Sequence, residues 1–228
     1  MGRRIDGIAM AGTLYNSVVE AARKEPTVRI LAIVALTLFA ALGPARAAES
    51  PQQVVVALQD TLLDVMKHAG SLGFKGRYER LEPILTESFN FPLMARVSVG
   101  RHWKRLDEAA RKELVDAYSR MSVATFAARF NGYSGQRFEV LSEDETARGG
   151  KVVKTQLVSP NEDPIALNYV MRRAREHWRI IDVSLDAKYS ELARQRSEFT
   201  AVMDREGLDG LVRTIRDKVE QLSNGDAS

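Results

Sequence analysis

The sequence predicts an α+β fold in which an antiparallel sheet of four to five strands is covered by helices. Within residues 163–186, apolar side chains occupy every second position, at Ile165, Leu167, Tyr169 and Met171. This period of two is typical of a half-buried strand. A charged tip at residues 173–176 leads into a second β-rich run at residues 178–183, so the segment is predicted to form a hairpin. Most of the remaining chain has helical spacing of its apolar residues.

The order of the elements supports this prediction. Ser50 and Pro51 open a helix whose apolar spacing lasts until the glycines at 70 and 73, and a second helix is predicted from about Arg80, because Pro83 suits a first turn. A short helix follows from Pro92 to about Gly100, and the longest runs from an N-cap at Asp107 to residues 131–132. Strands are predicted at residues 137–141 and 151–158. After the hairpin come two helices, at residues 191–205 and 208–222, separated by Gly207.

The first 47 residues are predicted to be a signal peptide. Basic residues precede an uncharged run at residues 30–42, and Ala45-Arg46-Ala47 offers a cleavage site after Ala47. The rival is an uncleaved anchor, but thirteen residues at about 1.5 Å each give roughly 20 Å, which is short of the ~30 Å hydrocarbon core. Translation from Met10 is an open alternative. We expect an exported, periplasmic domain at residues 48–228, ordered over about 51–222.

Composition excludes several functions. The chain has 33 basic and 30 acidic residues, and residues 1–47 hold six and three of them, which leaves 27 of each. A neutral domain gives no electrostatic reason to expect nucleic acid as a partner. There is no cysteine, and the three histidines lack zinc-ligand spacing. No nucleophile elbow or phosphate-binding glycine motif is present, so we expect no enzyme activity, metal or cofactor.

Two clusters of charged residues lie in or near the predicted hairpin. Asp182 and Asp186 are either a buried acid pair or, as favoured here, rim carboxylates that pair with nearby arginines. Arg172, Arg173 and Arg175 form a basic cluster that a solvated turn explains without a phosphate ligand. The apolar faces are compatible with either a packed or a hollow core, and periodicity alone favours the packed one because close packing is the default.

Several motifs, taken together, resemble the MlaC / toluene-tolerance (Ttg) family of periplasmic lipid-binding proteins. They include F-N-F-P-L-M-A-R at residues 89–96, V-G-R-H-W at 99–103, W-R-I-I-D-V at 178–183 and G-L-D-G-L at 207–211. Further matches lie at 133–136, 164–169 and 196–199, so the resemblance extends over about residues 51–222. The segment L-D-A-K-Y-S at 185–190 departs from the family pattern and, with the neutral charge, is more similar to the hopanoid-associated HpnM branch.

The resemblance implies an NTF-like sheet wrapped by helices around a cavity for acyl chains, and so favours the hollow core. It implies a carrier of a phospholipid or hopanoid, with the head group near the mouth. The implied partners are an inner-membrane ABC transporter complex and an outer-membrane lipoprotein complex. The residues expected to line the cavity are Val97, Val123, Phe126, Phe130, Val153, Leu157, Leu167, Tyr169 and Met171. Trp103 is expected either to line the cavity or to lock its short helix onto the sheet, and the lock is favoured.

Two rival functions stay open from sequence. One is a small enzyme that uses Asp182 as a base on an apolar substrate inside the same cavity. The other is an adaptor with a solid core that binds a membrane protein through the exposed face of the final helix. A cavity too small for one acyl chain would favour the adaptor.

Overall fold

The computed structural model describes residues 49–185 and 189–225. The predicted signal peptide and Asp186 lie outside these residues. Helices α1 (Pro51–Lys67), α2 (Ala69–Ser88), α3 (Phe91–Ser98) and α4 (Glu108–Arg129) precede the sheet, and a 3-10 helix (Gly100–Arg105) joins α3 to α4. Helix α5 (Glu191–Asn224) follows the sheet. The α+β class is therefore confirmed.

Local capping explains where the helices begin. The Ser50 side chain accepts a hydrogen bond from the Gln53 amide, and the Gln53 side chain reaches back to the Ser50 amide, which makes a capping box at the start of α1. Asp107 accepts a hydrogen bond from the Ala110 amide at 2.8 Å and so begins α4 as predicted.

Glycine breaks two of the long helices. Gly73 interrupts α2 with φ 58°, and Gly207 interrupts α5 with φ 68°, a region that glycine tolerates and other residues rarely adopt. The predicted boundary between the last two helices is thus found at Gly207. The predicted start of the second helix near Arg80 is wrong, because Pro83 lies inside α2. Pro83 is exposed, so the carbonyl that it deprives of a donor can be hydrated by solvent.

The sheet has five strands in the order β1-β2-β3-β4-β5, and all neighbours are antiparallel. The strands are β1 (Arg137–Glu145), β2 (Lys151–Val158), β3 (Ile165–Ala174), β4 (His177–Leu185) and β5 (Tyr189–Ser190). The pairing of Thr155 with Leu167 and of Leu167 with Leu185 aligns apolar side chains on one face, which we call the inner face. The predicted inner face of β3 is confirmed at Leu167, Tyr169 and Met171, which are buried, whereas Ile165 at the start of the strand is 41% exposed and Asn168 of the other face is also buried.

The main core lies where α1, α3 and α4 meet the inner face. Side chains with no exposed surface come from each of these elements, including Leu58 and Leu62 of α1, Ala95 of α3 and Leu114 of α4. Each fully buried aliphatic side chain of valine or leucine size contributes about 1.5–3 kcal/mol to folding. The core therefore holds one end of the inner face firmly against the helices.

Asp182 differs from its predicted environment. Its carboxylate accepts hydrogen bonds from the Ser190 hydroxyl at 2.5 Å and from the Leu192 amide at 3.0 Å, rather than pairing with an arginine. It thereby joins β4 to the first turn of α5, where the helix dipole favours a negative charge. The prediction of an arginine-paired rim carboxylate was wrong for Asp182 because the nearby backbone donors of α5 could not be located from sequence.

A charged cluster holds the 3-10 helix against α5. Arg101 donates to both carboxylate oxygens of Asp204, at 2.6 and 2.9 Å, and Nε2 of the buried His102 lies 3.1 Å from Asp204 Oδ1. The hydrogen bond from Arg101 lowers the pKa of Asp204, with a smaller contribution from His102. The cluster therefore stabilises the fold only while Asp204 is ionised.

Lowering the pH should remove the stabilisation that the Asp204 cluster provides. Because the folded-state pKa of Asp204 lies below the unfolded value of about 3.9, the stabilisation is complete above that pH and is lost as the pH falls through the folded-state pKa. We expect Asp204→Asn to lower the Tm at pH 7. Below about pH 4, the Tm of the variant should decrease less steeply with falling pH than that of the wild type. Circular dichroism melts between pH 7 and pH 2 measure both effects, with the exposed Asp209→Asn as control. Equal acid slopes in the two variants would contradict this assignment.

Candidate functional site

A cavity of about 660 Å³ lies between α4 and the inner face of the sheet. Its size falls within the range of about 300–1,000 Å³ that is usual for ligand pockets. The walls come from α3, α4, the loop after α4, strands β2 to β4 and the first turns of α5. The residues that line it are Met66, Phe89, Phe91, Met94, Tyr118, Ser122, Thr125, Phe126, Arg129, Phe130, Asn131, Gly132, Tyr133, Ser134, Gln136, Leu157, Ser159, Glu162, Ile165, Leu167, Tyr169, Val183, Leu185, Glu191 and Gln195.

One wall of the cavity is a series of aromatic rings. Phe91 stacks on Phe89 with 5.6 Å between the ring centres, and Phe89 and Phe126 meet edge to face with the same separation. Phe126 in turn stacks on Phe130 with 5.7 Å between the ring centres. Such pairs contribute about 0.5–1.5 kcal/mol each beyond their buried area. The four rings therefore form one continuous aromatic surface along this wall.

The sheet supplies the opposite wall, which is mainly apolar. Gln59 of α1 donates to the Thr155 hydroxyl at 3.0 Å, and that hydroxyl donates to the Leu167 carbonyl at 2.9 Å. These buried bonds fix β2 and β3 beside the cavity. Burial raises the pKa of Tyr169 to about 12, and a hydrogen bond with Gln59 opposes the shift, so Tyr169 is a neutral wall residue.

The deep end of the cavity contains a polar network. The Tyr118 hydroxyl donates to Gln195 Oε1, Gln195 Nε2 donates to Glu191 Oε1 at 3.3 Å, and Arg194 pairs with the same carboxylate at 2.5 Å. Burial raises the pKa of Tyr118, and the charge of Glu191 raises it further, so the hydroxyl keeps its proton. The network crosses from the buried Tyr118 of α4 to α5 and reaches the surface at Arg194, whose side chain is 52% exposed.

Loss of the Tyr118 hydroxyl should weaken the fold measurably. In Tyr118→Phe, Gln195 Oε1 keeps its buried position but loses its donor, which costs about 1–2 kcal/mol of unfolding free energy. Urea denaturation monitored by circular dichroism measures the loss. The control is Tyr78→Phe, since the Tyr78 hydroxyl makes no hydrogen bond within the described residues. A Tyr118 variant as stable as the control would contradict the network.

The mouth of the cavity lies where the exposed lining residues gather. Tyr133, in the loop after α4, is 44% exposed, and Ile165, at the start of β3, is 41% exposed. The Lys67 ammonium lies 5.5 Å from the centre of the Tyr133 ring, a cation–π contact that orients the ring. Ser134, Gln136 and Glu162 complete a polar rim. An apolar ligand can therefore enter beside these two exposed side chains.

The structure divides the nine residues predicted to line the cavity. Five of them lie on its walls: Phe126, Phe130, Leu157, Leu167 and Tyr169. The other four lie outside the lining, because Val123, Val153 and Met171 are fully buried in the packed core and Val97 packs against that core from α3. Sequence periodicity correctly placed Val153 and Met171 on the inner face, but the core and the cavity share that face.

Sequence reasoning missed the other lining residues, and two groups of them carried a signal. Phe89, Phe91 and Met94 belong to the F-N-F-P-L-M motif that carried the family resemblance, so the motif itself was the available signal. The polar residues of α4 were also missed, although their helical spacing was visible. Gln195 had no signal, because its partner Tyr118 is 77 residues away in sequence.

The contacts described for Trp103 are with α4 and the edge of the core, and the predicted lock onto the sheet stays a prediction. The Arg111 guanidinium lies 5.5 Å from the Trp103 ring centre, and Arg111 Nε donates to the Trp103 carbonyl at 3.3 Å. The partner is therefore the first part of α4. Trp103 is half-buried against the core and is not part of the cavity lining.

Neither a candidate metal site nor a candidate membrane-spanning helix is found in the described ranges. Residues 49–185 and 189–225 contain no cluster of three or more histidine, aspartate or glutamate side chains that could hold a metal ion. Over the same residues, no helix has the length and apolar character needed to span a membrane.

The fold and cavity define a class of protein in which helices and an antiparallel sheet enclose a preformed apolar pocket. The family model described as "MlaC protein" matches residues 57–217, which is more than half of the chain. The chain belongs to the MlaC family.

A solved structure supports the same fold. It is a phospholipid-binding protein from Ralstonia solanacearum in complex with a phospholipid, and its TM-score against this chain is 0.67 at 18% sequence identity. The match covers 76% of this chain and 99% of that protein. No curated protein matches the sequence.

Proposed function

We propose that this protein binds a phospholipid or a related long-chain lipid in the cavity between α4 and the sheet, and carries it between membranes. The observation that carries the proposal is the preformed cavity of about 660 Å³ with an aromatic wall and an exposed apolar mouth. The phospholipid bound by the structurally similar Ralstonia protein supports it.

The cavity volume suits at least one acyl chain. A methylene group occupies about as much space as a water molecule in the liquid, roughly 30 Å³, so the cavity holds roughly twenty such groups. Each buried methylene stabilises a complex by about 0.8 kcal/mol before the costs of association. One long chain, or two shorter ones, therefore supplies enough free energy for a stable complex without a polar anchor.

The two rival functions have less support. An adaptor with a solid core was expected to lack space for an acyl chain, and the cavity exceeds that requirement. The enzyme hypothesis assigned the base to Asp182, but that carboxylate caps α5 and is not part of the cavity lining. A binding role, without chemistry on the ligand, is therefore the function that we propose.

We also propose where the protein acts and which complexes it serves. Residues 1–47 would direct export and be removed, and residues 48–228 would act in the periplasm, as expected for the MlaC family. An inner-membrane ABC transporter complex and an outer-membrane lipoprotein complex would supply and receive the lipid. The L-D-A-K-Y-S segment and the neutral domain favour a place in the HpnM branch, with a hopanoid as a candidate cargo.

A transfer assay tests the proposal. Delipidated protein is incubated with phospholipid vesicles that carry a fluorescent lipid, separated from them, and then mixed with unlabelled acceptor vesicles. We expect about one lipid per chain after the first step and its release to the acceptors in the second. Protein that takes up no lipid would refute binding, and protein that retains its lipid would refute the carrier role.

A further inference from the structure

The wall of the cavity that α4 provides carries a polar stripe beside its aromatic one. Tyr118, Ser122, Thr125 and Arg129 all line the cavity, and their spacing of four, three and four residues places them along one side of the helix. Eleven residues at 1.5 Å each make the stripe about 16 Å long. It runs from the buried network at Tyr118 to the mouth at Arg129.

The two central hydroxyls of the stripe donate to their own helix and keep their lone pairs available to a ligand. Ser122 donates to the Tyr118 carbonyl at 2.9 Å, and Thr125 donates to the Met121 carbonyl at 2.8 Å. Each hydroxyl oxygen keeps lone pairs for which the described residues provide no donor. These oxygens therefore offer acceptors within an otherwise apolar volume.

The deep end of the stripe adds a donor. Gln195 is 8% exposed and lines the cavity, and the described residues supply an acceptor for only one of its two amide N–H groups, at Glu191. Tyr118 is fully buried, and its oxygen also keeps its lone pairs because its proton goes to Gln195. A buried polar group gains most when a ligand completes its hydrogen bonds.

A hydroxyl group matches this arrangement best. It donates one hydrogen bond and accepts others, so it can pair with the oxygens of Ser122 and Thr125 and, at the deep end, with the free N–H of Gln195. A hydrocarbon chain satisfies none of these atoms. An ester carbonyl only accepts, so it can pair with Gln195, whereas pairing with Ser122 or Thr125 requires their protons to leave the helix carbonyls.

We propose that the stripe formed by Tyr118, Ser122, Thr125 and Arg129 binds hydroxyl groups carried along the length of the cargo, which makes a hydroxylated lipid the preferred ligand. This inference rests on the proposed lipid-binding function. It also places part of the polar portion of the cargo inside the cavity, where the sequence-based expectation left the head group at the mouth.

The test compares two fatty acids that differ by one hydroxyl group. Octadecanoate and 10-hydroxyoctadecanoate compete against a fluorescent fatty-acid probe for the delipidated protein. Ser122 lies about 10 Å along α4 from Arg129, so a carboxylate near Arg129 brings the tenth carbon of an extended chain alongside Ser122. One added hydrogen bond predicts about fivefold tighter binding of the hydroxy acid.

Variants identify the stripe as the cause of this preference. Ser122→Ala with Thr125→Val removes both hydroxyls with little change of shape, and we expect the ratio of the two affinities to fall to about one. The control is Ser119→Ala, because Ser119 is half-buried on the same helix, makes the same type of bond to Val115 at 2.8 Å, and does not line the cavity. It should keep the preference, and thermal melts check that all variants fold.

The outcomes separate the two proposals. Equal affinity of the wild-type protein for both acids, or a preference that survives in the double variant, would overturn the stripe as a hydroxyl site and leave lipid binding intact. Failure of both acids and of phospholipid to displace the probe would refute the proposed function, and the inference with it.

Discussion

Replacing Ser122 with tryptophan is expected to abolish lipid uptake while the protein stays folded. Ser122 lies on the cavity wall between Tyr118 and Arg129, and its hydroxyl bonds only to its own helix. An indole at this position projects into empty volume and divides the path of an acyl chain. Loss of even half of the buried methylenes of a long chain, at about 0.8 kcal/mol each, reduces affinity far more than a hundredfold.

The measurement is the number of lipids retained per chain after incubation with phospholipid vesicles, with a thermal melt to confirm folding. The matched control is Arg120→Trp, which adds the same aromatic group at an exposed position of α4. We expect the control to bind as the wild type does. Retention of a full lipid by a folded Ser122→Trp protein would show that the ligand lies elsewhere.

The largest loss of stability is expected for Arg77→Met. Arg77 is 2% exposed, and its guanidinium donates to the Ala127 carbonyl at 2.8 Å and to the Ala69 carbonyl at 3.2 Å. These bonds tie the start of α2 to the last turn of α4, next to the loop at the mouth. Methionine fills similar space but leaves two buried carbonyls without donors, at about 1–3 kcal/mol each.

A loss of about 3 kcal/mol corresponds to a fall of roughly 6–12 °C in Tm for a domain of this size. Scanning calorimetry measures it. Arg80→Met serves as the control, because Arg80 is three residues away, is 58% exposed and forms only a surface ion pair with Asp64 at 2.8 Å. We expect the control to change stability by less than about 1 kcal/mol. Equal melting temperatures of the two variants would contradict a structural role for Arg77.

Local features of the fold were predictable because they depend on neighbours in sequence. The alternation at Leu167, Tyr169 and Met171 fixes the inner face of β3, and Ser50 and Asp107 fix where two helices begin. Pro83 was misjudged for a tertiary reason. An exposed proline can lie inside a helix, because solvent hydrates the carbonyl that loses its donor, and exposure is not visible in a local pattern.

Whether a residue of the inner face lies in the packed core or on the cavity wall was not predictable. Met171 and Leu167 have the same periodicity and lie on the same face of the sheet, yet Met171 is in the packed core and Leu167 lines the cavity. Periodicity determines the direction of a side chain and not what lies above it. The family resemblance supplied the expectation of a hollow core, which periodicity alone had not favoured.

Hydrogen bonds between residues that are distant in sequence could not be predicted for the same reason. The network at the deep end joins Tyr118 of α4 to Gln195 of α5, and Asp182 caps a helix that begins nine residues later. Tyr118 and Gln195 looked ordinary in their own segments, and Asp182 was noticed in sequence but assigned to the wrong partners. Only the packing of α4 and α5 beside the sheet brings their polar atoms together.

Native mass spectrometry is the most direct test of lipid binding by this protein. The protein is purified from its own host and examined both intact and after organic extraction. We expect a mass increase equal to about one lipid per chain, and an extract that contains a phospholipid or a hydroxylated lipid. Lipid-free protein that also takes up no added lipid would contradict the cavity as a lipid-binding site.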